Sequence, residues 1–526
     1  MTLGEYASGK NVLFYIKDVP VLYLPYMLFP LRRERQSGFL IPVIGTSTIT
    51  GTNVSVPFYW AISPSQDVTF NLKYMSKRGV GAGADYQYIR KTGSEGSFKG
   101  FLIYDTKQER FRGEFSERHQ EAFSPSITFK SDFSYVSDRN YYRDFTETFG
   151  DYNRKSVDSN IFMTKRWQRF SLTPELRLSQ NLEATSNADT LQKLPLITFT
   201  AVKQRFGAIP FYFSLDSNFT NFYRERGVSG QRVDLHPRAT FYYTPVEEVE
   251  TAAWVGFRSR LYNTGEGGNI AVFRESGLMD GGFTVSSTLA RVYEIGWKDL
   301  RKVQHVIMPE VGYSYLAKGD QSSLPFFDYN DRVVAQNMAT YSITNYLTGK
   351  FVSGDETSDY RTLAYLKLSQ GYDFSGSRRD LLTAYQDLDP FSDIRIEAQI
   401  KPLKHLSFMT DSRYNPNRTN FSSTEVAVNV ADDKGNLVSA GYHFTRTQFE
   451  YLEGKVSVAL LKPFLLNFNG RYSVDSGSML ESYYSIEYKQ QCWGIIFSYG
   501  ERRGNRNFFV NFTMAGLGPL AKIKAF

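Results

Sequence analysis

Side chains that commonly catalyse reactions or hold metal ions are few and scattered in this sequence. The five histidines, His119, His236, His305, His405 and His443, lie far apart and lack the spacing of metal ligands. The sequence has no G-x-x-x-x-G-K-[ST] phosphate loop, no H-E-x-x-H zinc motif and no G-x-S-x-G nucleophile motif. We therefore predict that the protein is not an enzyme and uses no metal or cofactor.

Cys492 is the only cysteine, so the chain cannot close a disulfide within itself. A single cysteine suits neither a zinc site nor a disulfide framework, and it is often no more than a small apolar side chain. The residue types alone leave open whether this thiol is inert.

The composition excludes several classes of protein. The 526 residues include 42 Phe, 36 Tyr and 5 Trp, and an aromatic content of 16% excludes a disordered chain. A membrane-spanning helix needs about 20 apolar residues in a row, whereas the best candidate, Val19–Leu31, is shorter and contains three prolines. The net charge of +7 is spread without a block of Lys or Arg, so we predict no nucleic-acid partner.

What dominates the sequence is an alternation of apolar and polar residues after about residue 50. In DVTFNLKYM (67–75) the even positions are apolar, and the odd positions Thr69, Asn71 and Lys73 are polar or charged. Ile394–Lys401 and Phe464–Asp475 follow the same period of two. This period is typical of strands with one apolar and one polar face.

Three features favour a membrane barrel over a soluble β protein. The apolar positions are rich in aromatic residues, and the opposite positions carry full charges that suit a water-filled lumen. Short and long connections also alternate, as they do in outer-membrane barrels. Among the short ones are Ser63–Gln66, Lys401–Lys404 and Lys462-Pro463, and among the long ones Asn263–Gly282, Lys318–Gln336 and Ser375–Pro390.

Residues 38–526 are long enough for a strand number in the mid-twenties, at about 10 residues per strand plus loops. The fold class we predict is all-β, a transmembrane antiparallel β-barrel. Its lumen would be too wide for side chains alone to fill, so loops, a plug or a partner must occupy it.

Residues 1–37 form a separate unit in this interpretation. The segment Asn11–Leu31 is apolar at both alternating positions and rich in proline, which suits the end of a preceding domain; a plug or cap is the alternative. The first residues lack the apolar core of a signal peptide, so for an exported protein we expect that an earlier part of the chain is missing.

The closure of the barrel is predicted to be its weak point. Pro42 lies inside the first barrel strand, Gly38–Thr48, and Pro57 lies inside the second. Proline removes a hydrogen-bond donor from a sheet, so we expect a functional seam where Gly38–Thr48 meets the last strand, Asn505–Leu517; a harmless edge proline is the alternative. Around the prolines the residues of this lateral gate would be Phe39, Ile41 and Val43 on the first strand and Phe508, Val510, Phe512 and Met514 on the last.

Five segments, found in order along the whole chain, resemble the LPS-assembly outer-membrane protein family, LptD. They are DVPVLYLPYMLFPLRRERQSGFLIPVIG (18–45), VPFYWAISPSQDVTFNLKYMSKRGV (56–80), VQHVIMPEVGYSYL (303–316), DRVVAQNMATYSITNYL (331–347) and QCWGIIFSYGERRGNRNFFVNFTMAGLG (491–518). The resemblance implies 26 strands, preceded by a periplasmic β-jellyroll whose C-terminal remnant would be residues 1–37. It also implies insertion of lipopolysaccharide into the outer leaflet of the Gram-negative outer membrane.

Further details follow from the resemblance alone. In the family, prolines loosen the pairing of the first and last strands, and Pro42 and Pro57 match those positions. The implied partners are lipopolysaccharide, the lipoprotein LptE as a plug in the lumen, and a periplasmic bridge protein similar to LptA. Paired cysteines often precede the penultimate strand and bond to the N-terminal domain; Gln491-Cys492 retains one of them, which leaves a disulfide possible.

Two other functions compete with lipid transport. A porin or plugged transporter for other solutes needs a sealed seam, which the prolines and the apolar Asn11–Leu31 argue against. An outer-membrane lipase or protease would need a nucleophile and base that no motif supplies, although a dispersed triad has no sequence signature.

Overall fold

The structure is a computed structural model, and almost all of it is β-sheet. It describes residues 6–16, 19–30, 37–90, 94–146, 151–205, 207, 209–265, 272–352, 357–376, 378–379, 386–387, 389–461, 463–490 and 493–514. Helices are confined to one short α-helix, Tyr141–Phe145, and the 3-10 turns Asp151–Asn153 and Tyr329–Asp331. In these ranges no helix is long and apolar enough to cross a membrane.

A closed antiparallel barrel of 26 strands makes up the body of the molecule, as predicted. Two strands are interrupted: β1 consists of Gly38–Phe39 and Val43–Ser47, and β14 of Val272–Ser287 and Leu289–Trp297. The others are β2 Gly51–Ser63, β3 Gln66–Met75, β4 Gly79–Ile89, β5 Glu95–Asp105, β6 Arg110–Ser124, β7 Ile127–Val136, β8 Ser156–Arg166, β9 Phe170–Asn181, β10 Gln192–Arg205, β11 Phe211–Tyr223, β12 Ser229–Val246, β13 Val249–Gly265, β15 Leu300–Leu316, β16 Gln336–Val352, β17 Ser358–Asp373, β18 Ile394–Leu403, β19 Leu406–Asn415, β20 Asn420–Ala431, β21 Leu437–Thr445, β22 Phe449–Leu461, β23 Phe464–Ser473, β24 Ser478–Lys489, β25 Trp493–Arg502 and β26 Asn505–Met514.

Two small sheets lie outside the barrel sheet. An N-terminal hairpin pairs Tyr6–Ile16 with Val19–Pro30, with one irregularity between Phe14 and Tyr15. Within the connection that follows β17, Arg378–Arg379 pairs with Gln386–Asp387.

The predicted alternation is realised on the two faces of the wall. In β3, Phe70, Leu72 and Tyr74 are exposed on the outer face. On the inner face of the same strand, Asn71 accepts a 2.6 Å hydrogen bond from the hydroxyl of Ser55 on β2. The outer surface is therefore the apolar band of a membrane barrel, and the inner surface is polar.

Antiparallel pairing divides the connections between two ends of the barrel, which we name the short-turn end and the long-loop end. The turns at 64–65, 298–299 and 404–405 lie at the short-turn end. At the long-loop end are the connections 137–155, 182–191, 317–335 and 374–393. The predicted long loop Asn263–Gly282 is mostly strand, because β13 pairs with β12 up to Gly265 and with β14 from Val272 onwards. Only 266–271 lie between the two strands.

This topology predicts which turns face the cell exterior, since outer-membrane barrels carry their long loops outside. In a Cys492→Ser background, a cysteine at Ser476 in the β23–β24 turn should react with a membrane-impermeant maleimide on intact cells. A cysteine at Asp433 in the β20–β21 turn should react only after the outer membrane is permeabilised. Both side chains are exposed, so equal labelling of the two in intact cells would contradict the topology.

Candidate functional site

The seam between β26 and β1 is the shortest junction between neighbouring barrel strands in the described part of the wall. Its ladder contains four residue pairs, from Asn507 opposite Ser47 to Val510 opposite Ile44. At the long-loop end, the Thr48 N–H extends it with a 2.9 Å bond to the Arg506 carbonyl. The Ser47 hydroxyl also donates to the Asn505 side chain, at 2.8 Å.

β1 is not the continuous strand Gly38–Thr48 that the sequence predicts. Phe39 lies opposite Phe58 and Val43 opposite Ser55, so four steps along β1 match three along β2. This is a β-bulge, and it contains Pro42, which has no N–H to donate to a ladder. Between the two pieces, the Leu40 N–H still reaches the Pro57 carbonyl, at 2.9 Å.

The two edges of the seam part at this bulge. Beyond Val510, residues 511–514 of β26 still pair with β25, but across the seam they have no ladder partner in residues 38–43. A backbone group without a partner costs several kcal/mol in hydrocarbon. The half of the seam nearest the short-turn end is therefore not held by a backbone ladder in the described wall.

The structure brings together some of the predicted seam residues and separates others. Phe508 and Val510 pair with Thr46 and Ile44, two exposed positions on the outer face. Across β1 and β2, the Phe39 and Phe58 rings meet edge to face at 5.0 Å.

Ile41 and Val43, the other two predicted gate residues of β1, are not exposed as Phe39 is. Ile41 is buried, and Val43 shares the inward row with Ser55. On β26, Phe512 pairs with Ile495 of β25, opposite the point where the seam ladder has ended. The Met514 backbone pairs with Trp493, but its side chain lies outside what the structure describes, as do Cys492 and residues 515–517 of the predicted last strand.

Sequence reasoning missed the contact that closes the inner side of the seam. Gly45 and Phe509 are register partners, and the Phe509 ring lies over Gly45 with only 5% of its surface exposed. A Cβ at Gly45 would overlap that ring and would lie 2.5 Å from the Phe508 carbonyl oxygen. The glycine is thus required by the close approach of the two strands, a requirement that alternation alone does not reveal.

Two clusters of buried charges tie the long loops to the luminal wall. In the first luminal cluster, which we define as Arg78, Asp105, Arg112, Asp138 and Asp144, Arg112 is fully buried and binds three carboxylates. Its Nε lies 2.7 Å from Asp138, and its Nη1 lies 2.9 Å from Asp105 and 2.6 Å from Asp144. Hydrogen bonds from Arg112 lower the pKa of Asp138 below its usual range although burial raises it. Residues 137–146 of this connection are therefore held inside the barrel.

The same connection reaches the wall on the far side of the seam. Arg502 of β25 donates to the carbonyl of Thr146 at 3.1 Å, and its guanidinium lies 4.4 Å from the centre of the Tyr152 ring. Burial and the neighbouring Glu481 raise the pKa of Tyr152 to about 12, so the phenol stays protonated at neutral pH. The connection thus links β7 and β8 to β24 and β25, across the lumen from one flank of the seam to the other.

The second luminal cluster joins the connection 317–335 to β10, β12 and β13; we define it as Lys193, Arg232, Asp234, Arg258, Arg260, Asp328 and Asp331. Arg232 Nη1 lies 2.8 Å from Asp328 and 2.6 Å from Asp331. Lys193 lies 2.5 Å from Asp328, and the Tyr262 hydroxyl donates to Asp331 at 2.9 Å. The sequence signal for this wall is the alternation of charge in RVDLHPR (232–238) and FRSRLY (257–262).

The described residues include no group of three or more His, Cys, Asp or Glu side chains arranged to hold a metal ion. The geometry instead offers a polar lumen bordered by charged clusters and a wall that is weakly paired at one place. Such an arrangement suits passage of a molecule with polar and apolar parts.

The close approach at Gly45 predicts a large effect from one added methyl group. Gly45→Ala should destabilise the barrel by about 1–3 kcal/mol, the usual cost of overpacking, and should weaken the seam. Gly38→Ala is the matched control, since a Cβ there would meet nothing within 4 Å. Thermal unfolding in detergent and cell permeability to large antibiotics measure the two effects; identical behaviour of the two variants would contradict the seam contact.

Comparison with known proteins shows a family relationship along most of the chain. The LPS-assembly protein LptD of Nitrosospira multiformis is 26% identical over 93% of this chain and 54% of its own length. That of Nitrosomonas europaea is 25% identical over 97% of this chain and 73% of its own. Among solved structures, the ferric-catecholate import receptor Fiu of E. coli aligns over 94% of this chain at a TM-score of 0.30 and 8% identity, a likeness too weak to bear on function. The model of the family LptD, LPS transport system D, matches residues 110–487, and the chain therefore belongs to that family.

Proposed function

We propose that this outer-membrane barrel inserts lipopolysaccharide into the outer leaflet, and that the lipid leaves sideways between β26 and β1. The observation that supports this exit most strongly is the seam, whose ladder ends after four residue pairs at the bulge that contains Pro42. Membership of a transport family also agrees with the prediction that the protein is not an enzyme.

The two parts of the lipid would take different paths. The acyl chains would slide along the apolar N-terminal hairpin, which we take to be the end of a periplasmic jellyroll, and enter the membrane near Pro42. The sugars and phosphates would cross the polar lumen beside the basic side chains of β12 and β13. Splitting the molecule in this way keeps its charged groups out of hydrocarbon.

The partners follow from this route. A periplasmic bridge protein of the LptA type would deliver the lipid to the hairpin, and the lipoprotein LptE would fill the part of the lumen that the connections 137–155 and 317–335 leave open. Cys492 would be available for a disulfide to the preceding domain. Because the family transports a lipid and the sequence has no nucleotide-binding motif, the driving energy would come from the delivering partner.

The seam must stay closed until lipid arrives. Each backbone hydrogen bond contributes a net of only about 1 kcal/mol in water, so a four-pair ladder is weak by itself. In hydrocarbon, however, each unpaired group costs several kcal/mol, which keeps the strands together until a lipid or protein segment supplies other contacts. The seam would therefore open only while it is occupied.

Locking the seam tests lateral exit directly. In a Cys492→Ser background, Ile44→Cys with Val510→Cys places two facing cysteines across the seam, and their disulfide should abolish delivery of lipopolysaccharide to the cell surface. Phe497→Cys with Val510→Cys is the matched control, because Val510 also pairs with Phe497 of β25. Both variants should form a folded barrel, and the control should deliver normally. The readouts are surface lipopolysaccharide and viability, with reductant as the rescue; normal delivery by a fully oxidised seam variant would disprove lateral exit.

A further inference from the structure

The second luminal cluster contains more positive than negative charge. Four basic side chains, Lys193, Arg232, Arg258 and Arg260, face three carboxylates, those of Asp234, Asp328 and Asp331. The first luminal cluster has no such excess: Arg78 and Arg112 face three aspartates, and Arg110, 3.6 Å from Asp138, brings the count only to balance. Only the second therefore has capacity for a further anion.

Unpartnered donors in the second cluster indicate where such an anion would bind. Arg260 is 1% exposed, and its Nε lies 3.2 Å from Asp234, but its Nη1 and Nη2 have no hydrogen-bond partner. Arg232 is equally buried, and its Nε is also without a partner. A buried charged donor without an acceptor is costly. Arg112 in the first cluster shows the satisfied arrangement, with Nε, Nη1 and Nη2 all bound to carboxylates.

The carboxylates of the connection 317–335 already occupy part of this basic surface. Asp331 uses one oxygen to bind Arg232 and Tyr262, and the other to accept from the N–H groups of Phe327 and Asp328, at 2.6 and 2.9 Å. Burial raises the pKa of Asp328, but hydrogen bonds from Arg232 and Lys193 outweigh it and hold the pKa below the usual range. Asp328 and Asp331 therefore both fold this connection and attach it to the wall.

We propose that the second luminal cluster is a binding site for a phosphate or diphosphate group, which competes with Asp328 and Asp331 for Arg232 and binds the free Nη donors of Arg260. Its binding would release the connection 317–335 from the luminal wall. Phosphate offers three strong acceptor oxygens and matches the two-pronged geometry of arginine. This inference rests on the proposed function for the source of the phosphate, since lipopolysaccharide carries phosphate groups on its glucosamine disaccharide.

Hydrogen exchange on the purified full-length protein tests the release. Inorganic pyrophosphate, compared with chloride at the same ionic strength, should raise exchange in 317–335 several-fold. The first luminal cluster is the internal control, because its arginine donors are satisfied, so exchange in 137–146 should not change. No change in 317–335, or the same change in both segments, would overturn the proposal.

Two substitutions should shift affinity in opposite directions. Arg260→Gln should weaken pyrophosphate binding about tenfold or more by isothermal titration, because it removes the free Nη donors. Asp328→Asn should strengthen binding, because it removes a competing carboxylate. Arg395→Gln is a matched control, since Arg395 forms an ion pair with Asp411 elsewhere on the wall, at 2.7 Å. If both cluster variants weaken binding alike, the cluster is structural and the proposal fails; if Arg260→Gln does not fold, Asp328→Asn alone decides through the sign of its effect.

Repeating the exchange measurement with lipid shows whether the phosphate that binds belongs to the transported lipid. Bisphosphorylated lipid A in detergent should release 317–335, and the same lipid without its phosphates should not. Release by pyrophosphate but not by lipid A would support the anion site and overturn its link to the transported lipid. If neither pyrophosphate nor lipid A gives the expected result, but the disulfide experiment supports lateral exit, this inference is disproved and the proposed function stands.

Discussion

Backbone N–H and C=O groups inside a bilayer have no water to bind, and most of this structure depends on that constraint. A sheet satisfies it only by closing on itself, so the 26 strands form one barrel in which each edge finds a partner. The same constraint makes an incompletely paired junction the most consequential place in the wall. The seam beside Pro42 has the shortest backbone ladder between neighbouring strands of the described wall.

The seam combines a stretch without ladder pairing and a stretch in which the two strands approach closely. The bulge at Pro42 removes pairing near the short-turn end, whereas Gly45 and Phe509 hold the strands close together in the paired part. A uniformly weak edge would admit lipid and water along its whole length. A junction that is firm at one end and parted at the other is suited to open from the parted end, where the apolar hairpin joins the barrel.

Sequence reasoning predicted the barrel and a strand number in the mid-twenties, because period-two alternation acts locally, and the family resemblance supplied the number 26. The lateral gate at Pro42 and Pro57 stays a prediction. Sequence reasoning did not predict the bulge, since a one-residue shift between β1 and β2 depends on how both strands pair. Nor did it predict that Phe509 covers Gly45, or that RVDLHPR (232–238) meets the connection 317–335, because those contacts join residues distant in sequence. The expected loop Asn263–Gly282 was wrong for a related reason: its alternation was weak, but pairing with long neighbours extends β13 and β14 through it.

Photocrosslinking on the outer face of the half nearest the short-turn end tests lateral exit most directly. Phe39 is 69% exposed on the outer face beside the parted seam, and Leu403 is 63% exposed at the same end of the barrel, on β18. A photoreactive amino acid at each position, in cells labelled briefly for new lipopolysaccharide, compares the seam with a continuous part of the wall in the half of the barrel nearest the short-turn end. If the lipid leaves through the seam, newly made lipopolysaccharide should crosslink at Phe39 and not at Leu403. Equal crosslinking at both, or none at Phe39 while delivery continues, would contradict lateral exit.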